Sequence, residues 1–490
     1  MNHESAPRSK PGTSPLLDLA CESLDWIRKR SGRVEAEVYL ARGEERGIEM
    51  RNGALESIQS AGSEGVGLRV LDEGRMGFAS AGGLDLRTIR GIFDKIAEQM
   101  PHLEPDDKAG FPPAPGPSAQ RPKARDGELD SRQGAVPDGL GTGVAVRDRK
   151  FEASLWDGSL FSGSLEPWVE KLAEAQAKAL SADRRVRSVL RIGYGESRGE
   201  VVIANTGGLR AAERGSSATL GINVLAAGED GELQVGAAFE ASRKKSGLGL
   251  DRIIKDGVWR ATALLDACKL PGKRRAVVID PWVAGELLDL VSELLCADSV
   301  QRGRSLLAGK EGSRVASQLV TLVDDPRRRG GAASSIYDDE GCATSAKTMV
   351  DEGVLKEFFY DTYTANMDGR PSNASASRGS YKGLPGPAPS NFYLAAGESA
   401  RDEIISQTKD GLLVLEILGM HMTDPASGEI SVGASGIAIE RGRLTRAVKG
   451  CMISGNIIEL MKRIDMVGSD LTFYGSLGSP TFRISHMTVA

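Results

Sequence analysis

Histidine is scarce, with only His3, His102, His421 and His486 among 490 residues. No two of them stand at helical spacing. A hydrolytic zinc site needs neutral imidazoles on one helix face and a carboxylate to activate water, so this spacing argues against a self-contained zinc peptidase centre. The five cysteines (Cys21, Cys268, Cys296, Cys342 and Cys451) are odd in number and never form a C-x-x-C pair. Neither a disulfide framework nor a zinc ribbon is indicated, and a reducing cytosol is the expected compartment. Long apolar runs are missing too: the longest, Gly411–Met420, is broken by Glu416, and the first 14 residues are polar. No membrane span and no signal peptide are therefore expected. Nor is there an excess of positive charge, since 62 Lys and Arg against 67 Asp and Glu leave −5. That disfavours nucleic acid or an anionic membrane as partner.

Glycine, by contrast, is abundant, with 60 residues of 490, well above the usual ~7%. With aromatics at only 5%, this points to many strands joined by tight turns. Hydrophobic residues at 40% and charged residues at 26% describe an ordinary globular chain, of about three domains or fewer at ~150 residues each.

Periodicity divides the chain. Residues 1–14 read as a disordered tail. Ser14-Pro15 then starts an amphipathic helix over Pro15–Arg30, with Ser as cap and Pro at the first helical position. Strand-like runs follow at Glu35–Ala41, Gly47–Arg51, Leu55–Ser60, Gly65–Leu71 and Met76–Ala79, with hairpin signals at Asn52-Gly53 and Asp72-Glu73-Gly74. A helix over Asp85–Met100 closes an N-terminal unit, 15–100. Pro101–Arg149, with its PPAPGP run and its Gly139/Gly141/Gly143 string, reads as an exposed insertion. A middle unit, 150–245, has a helix over Leu165–Leu180 capped by Ser164, then strands at Val186–Tyr194, Glu200–Asn205, Ala218–Ala226 and Leu233–Glu240. The C-terminal unit, 246–490, opens with a helix over Leu250–Cys268, a strand at Arg275–Asp280 and a helical pattern over Val283–Ala297. Short strands and Gly-rich turns follow, with helices at Ala400–Gly411 and Gly455–Ile464. The fold class is α+β, with an antiparallel meander beside helices in the N-terminal half and a large, mostly-β C-terminal half.

Candidate chemistry is thin. Gly195-Glu196-Ser197-Arg198-Gly199 matches the nucleophile-elbow pattern, but the β-rich residues after it suggest a hairpin instead. Asp324-Asp325 and Asp338-Asp339-Glu340 could form acid–base pairs, although carboxylates beside Pro326 and Gly341 more often serve turns. His421 could meet Cys342 or Cys451 in space. Arg327, Arg328 and Arg329 form a basic loop able to dock an acidic partner or a peptide carboxylate, with a solvated loop as the plainer reading.

Taken in order, several stretches resemble one family. Glu64–Val70 with Gly74–Ala79, then Asp338–Gly341, Asp351–Leu355, Asp361–Ala365, Asn391–Leu394, Asp424–Glu429, Gly433–Gly436 and Met466–Leu471, are similar to the TldD/PmbA proteins. The resemblance implies a cytosolic peptidase system of two related subunits. Its TldD branch carries H-E-x-x-x-H on a helix and a distant cysteine as zinc ligands. Its TldE (PmbA) branch lacks the motif and completes the substrate chamber.

In this chain, Leu288, Asp289 and Glu293 fall at the motif positions under an ungapped reading, and Leu471–Thr481 holds no cysteine. The resemblance thus implies a TldE-like subunit with no catalytic residue and no metal of its own, zinc being expected in a TldD-like partner. Peptides would be held in extended form by strand pairing. Arg327, Arg328, Arg329, Asn391 and His421 are the candidates for substrate or partner contact. Two alternatives stand beside it: a homodimeric hydrolase using Asp338, Asp339 and Glu340 or Ser197, and a peptide-binding scaffold without activity.

Overall fold

A computed structural model describes residues 14–114, 148–420 and 423–490. The N-terminal tail, the Gly139–Gly143 string and His421 lie outside these residues.

Helix α1 (Pro15–Arg30) starts as its sequence dictates: the Ser14 hydroxyl accepts from the Leu16 N–H, and Leu16, Ala20, Leu24 and Ile27 are buried. Strands β1 (Glu35–Arg51), β2 (Ala54–Asp72) and β3 (Arg75–Gly82) form the expected meander. Its two turns carry Asn52-Gly53 and Glu73-Gly74, each pair at positive φ, the conformation a two-residue hairpin requires. Helix α2 (Leu86–Gln99) follows, with Asp85 as its N-cap. After a short helix, α3 (Arg149–Glu152), comes α4 (Glu166–Ala182), whose cap position is Leu165 rather than Ser164. Next are β4 (Val186–Asn205), β5 (Arg210–Ala227), β6 (Leu233–Ser242) and α5 (Leu250–Ala263), the last shorter than its periodicity suggests.

The six strands form one antiparallel sheet in the order β3-β2-β1-β4-β5-β6. The expected hairpin at Gly195–Gly199 does not exist. These residues run through the middle of β4, paired with Gly43–Gly47 on one side and Gly215–Thr219 on the other. Ladder hydrogen bonds on both edges hold the glycines extended, and none of them takes a positive φ. The runs 35–41 and 47–51 likewise fuse into one strand, as do 55–60 and 65–71.

The C-terminal unit is built from β7 (Lys273–Ile279), α6 (Pro281–Leu294) and α7 (Ala297–Gln301), followed by β8 (Leu322–Asp324), β9 (Lys347–Asp351), β10 (Val354–Leu355) and α8 (Thr362–Met367). Then come β11 (Ala376–Ser377), β12 (Gly386–Pro387), β13 (Phe392–Leu394), α9 (Arg401–Ser406), β14 (Asp410–Leu418), β15 (Glu429–Glu440) and β16 (Arg443–Asn456). The chain ends in α10 (Ile457–Lys462), β17 (Ile464–Val467), β18 (Thr472–Tyr474), β19 (Leu477–Ser479) and β20 (Phe482–Val489). Two six-stranded sheets result, β16-β15-β14-β7-β20-β17 and β10-β9-β8-β13-β19-β18, with β11 and β12 as a separate pair. Helix α6 lies in the core they share: Val283, Ala284, Leu287, Leu288, Val291 and Leu294 pack in one cluster with β7, β14 and β20. Asp280 caps this helix, so it begins two residues before the expected Val283.

Candidate functional site

Side chains alternate across a strand, and in the long sheet this alternation separates two jobs. Val38, Leu40, Leu68, Val202 and Ala204 pack under α1 and α2, while Ile192, Tyr194, Leu220 and Ile222 pack under α4 and α5. The opposite face turns toward the C-terminal unit. There Tyr39, Ile203, Leu209 and Ala211 pack with Tyr337 and Tyr381. Gly65 and Gly67 are required at this contact, because a Cβ at either would fall 2.3 Å from the Tyr381 ring or 2.5 Å from its carbonyl oxygen.

Further along the strands the same face opens into a cleft of about 590 Å³. Register builds its floor in rows that are small apart from Glu45: Ser63, Gly43, Gly199 and Gly215, then Ala61, Glu45, Ser197 and Ser217. The far wall is the segment around Ser335 to Asp339 with Ser375, Ser377 and Ser390. Serine hydroxyls and strand backbone are interspersed there with charged side chains, among them Glu44, Glu45, Arg198, Glu213 and Arg243.

Of the carboxylates singled out in the sequence, Asp324, Asp338 and Asp339 line this cleft, and Asp325 and Glu340 do not. Asp338 accepts the N–H groups of Glu340 (3.0 Å), Cys342 (2.8 Å) and Ala376 (3.2 Å). Burial and the neighbouring Glu340 nonetheless push its carboxyl up to about 7. Asp339 accepts from the Arg378 N–H at 2.7 Å and the Tyr39 hydroxyl at 3.4 Å. Glu340 accepts from Arg69 at 3.2 Å and from the Thr362 N–H at 2.8 Å. Asp324 takes the Ser390 N–H and hydroxyl, at 2.6 and 2.8 Å, and pairs with Lys347 at 3.2 Å. Far from facing solvent, these groups are buried. Ser197 lines the floor, and among the described residues no hydrogen bond joins it to a carboxylate or a histidine.

Sequence reasoning missed the ionic seam beneath the cleft. Glu37 on β1 and Arg69 on β2 form a bidentate pair at 2.9 and 2.6 Å, and Arg378 of the C-terminal unit donates to the same Glu37. With Glu340 they make a buried network binding sheet to C-terminal unit. The two arginines hold the Glu37 carboxyl below its ordinary range despite its burial. Glu213 on β5 was also missed. It accepts the Ile336 N–H, faces Arg243, and is pushed up to about 7 by burial. A glutamate and an arginine at inward register positions were the available signal for Glu37 and Arg69.

Of the expected contact residues, Asn391 is fully buried and fully used. Its Nδ2 donates to the Asp325 carbonyl (2.8 Å) and the Ser334 hydroxyl (3.0 Å), and its Oδ1 accepts from the Ala333 N–H (3.0 Å). Arg327 donates to the carbonyls of Thr344 and Ile336 and lies over the Phe151 ring. Arg328 stacks on Phe473 at 3.9 Å, and Arg329 alone of the three is exposed. The basic loop is therefore mostly pinned rather than free.

On α6, Leu288 faces the core, while Asp289 and Glu293 are exposed. An apolar side chain and two carboxylates in water do not fit a zinc centre. Among the described residues no three His, Cys, Asp or Glu side chains are grouped so as to hold a metal ion, and none of the helices is long and apolar enough to cross a membrane.

The chain matches three family models: PmbA/TldA metallopeptidase domain 1 over residues 36–99, the central domain over 161–265, and the C-terminal domain over 272–490. A TldD homologue, described as a metalloprotease, from Haemophilus influenzae is 31% identical over 55% of this chain and 58% of its own length. Metalloprotease PmbA of Escherichia coli O157:H7 is 22% identical over 93% of this chain and 92% of its own. The crystal structure of TldE from Thermococcus kodakarensis superposes with a TM-score of 0.80 at 20% identity, over 96% of this chain and all of that one. With the three models in chain order and together matching well over half of the chain, this protein belongs to the PmbA/TldD metallopeptidase family.

Proposed function

We propose that this chain is the TldE-type, non-catalytic subunit of a cytoplasmic peptidase complex, and that it holds unfolded or small peptides while a TldD-like partner supplies the zinc. The observation that carries the reading is the state of α6, where Leu288 is packed into the core and Asp289 and Glu293 stand apart in solvent. No zinc-dependent step can be assigned to these residues. What the chain offers instead is the cleft on the long sheet, whose rows of glycine, alanine and serine leave strand backbone open to the main-chain amides of many sequences.

Tagged chain purified from its own cells tests this. A related protein bearing H-E-x-x-x-H in equal amount, with zinc and peptidase activity found in the pair and not in the isolated chain, is the expected result. Recovery of the chain alone, with peptidase activity that survives a chelator, would overturn it.

A further inference from the structure

Strand β2 runs from Ala54 to Asp72, but β3 pairs only with its second half, from Gly65 onward. Residues 57–63, Ser-Ile-Gln-Ser-Ala-Gly-Ser, are paired with β1 on one side and, among the described residues, with no strand on the other. All are exposed apart from the half-buried Ser57. At ~3.3 Å per residue this is a free edge of about 23 Å, along which main-chain N–H and C=O groups open directly to water.

Folded proteins guard such an edge with lysine, proline, an inward charge or a bulge. The one register shift of the β1–β2 ladder falls between the Leu55 and Ser57 pairs, at the end of the run. Glu56 and Glu64 bound it, and between them stand no charge and no proline. At the opposite end of the sheet, β6 is tied to the C-terminal unit, where Gln234 donates to Glu416 at 2.7 Å.

The two faces of β2 say what covers this edge. On the open face, Ala61, Gly62 and Ser63 line the cleft of about 590 Å³, and Ser57 and Gln59 line a neighbouring groove of about 440 Å³. At both hollows β2 is the last strand of the sheet on that side. On the other face, Ile58 stands opposite Ile48 and Leu55 opposite Met50. The two β1 residues are buried in the core under α4, while Ile58 is 53% and Leu55 46% exposed, so the apolar layer is left uncovered at its last strand. An extended peptide fills the edge alone. A folded chain that adds a strand also covers Ile58 and Leu55 on one face and walls the cleft on the other. The uncharged run calls for an uncharged strand beside it.

We propose that residues 57–63 are the docking edge for the TldD-like partner, which adds one of its own strands to the long sheet and carries the cleft floor across the boundary between subunits. This rests on the partner in the function proposed above.

The test compares the chain purified alone with the complex purified through the same tag from its own cells, by amide hydrogen exchange. In the chain alone, the outward amides of residues 57–63 should exchange freely. In the complex they should slow about 100-fold or more, as new ladder hydrogen bonds require. Ile58→Lys combined with Ala61→Lys, both at exposed positions, should unfold at the parent's temperature yet bring down about ten-fold less partner, whereas Ile58→Val should bring down as much as the parent. Unchanged exchange at 57–63 in a complex that contains the partner, or full recovery of the partner by the double lysine variant, would overturn the edge assignment and leave the subunit assignment standing. A parent chain that brings down no partner would remove both.

Discussion

Glu213 shows how a single residue couples the cleft wall to pH. Its carboxyl ordinarily titrates near 4.5 and is pushed up to about 7 in the fold. The folded chain then holds a proton the unfolded chain has lost, so stability is full below 4.5 and falls as pH rises to 7. The loss is ~3 kcal/mol at most, from 1.36 kcal/mol per pH unit. Glu213→Gln keeps an acceptor for the Ile336 N–H and removes the charge. Its stability by denaturant titration should exceed that of the parent above pH 7 and flatten between pH 5 and 8. An unaltered slope would show that Asp338, pushed the same way, carries the effect instead. Asn391 belongs to the same scale. Asn391→Ala strands the Ala333 N–H and takes a donor from the Asp325 carbonyl, while the Ser334 hydroxyl keeps its bond to the Arg328 carbonyl, and the variant should be about 1–3 kcal/mol less stable by denaturant titration. The residue stood out in the sequence, yet whether its amide served substrate or backbone depended on Ser334 and Asp325, which a linear reading does not place beside it.

At the scale of elements, α6 is decisive. Leu288→Ala should cost about 2–5 kcal/mol, the range for emptying a leucine site in a core. Leu288→His should also destabilise, by burying a polar ring, and the purified variant should hold no more zinc than the parent by metal analysis. A stoichiometric gain of zinc would mean that the α6 face is a dormant site. This helix was legible in the sequence from its apolar spacing, although its Asp280-Pro281 start was read as the end of the preceding strand. The meander was legible from its turns, Asn52-Gly53 and Glu73-Gly74 being turn residues with the backbone the turn needs. Gly195–Gly199 misled because glycine permits a turn without demanding one, and two neighbouring strands settled the matter. The helix after Leu250 ended early at Ala263, where the chain turns toward the Asp266 corner at positive φ, a boundary that apolar spacing alone does not mark.

Across the whole molecule, the seam of Glu37, Arg69, Glu340 and Arg378 fastens the C-terminal unit onto the sheet. Arg378→Met leaves Glu37 with half its partners in a buried site, and about 3–5 kcal/mol should be lost. The double variant Glu37→Met with Arg378→Met should lose less than the sum of the two single changes, the mark of direct coupling. Thermal unfolding and limited proteolysis would report both, with strict additivity counting against the seam. The sheet beneath it has a consequence for synthesis. β1 finishes at Arg51 but finds its second neighbour only in β4, about 150 residues later. At ~5–20 residues per second, the emerging chain carries an open strand edge for roughly 8–30 s. During that interval an unsatisfied ladder faces water and other nascent chains. A ribosome stalled between these strands would present the chain at its most adhesive, and chaperone crosslinking should peak there and fall once β4 has left the exit tunnel.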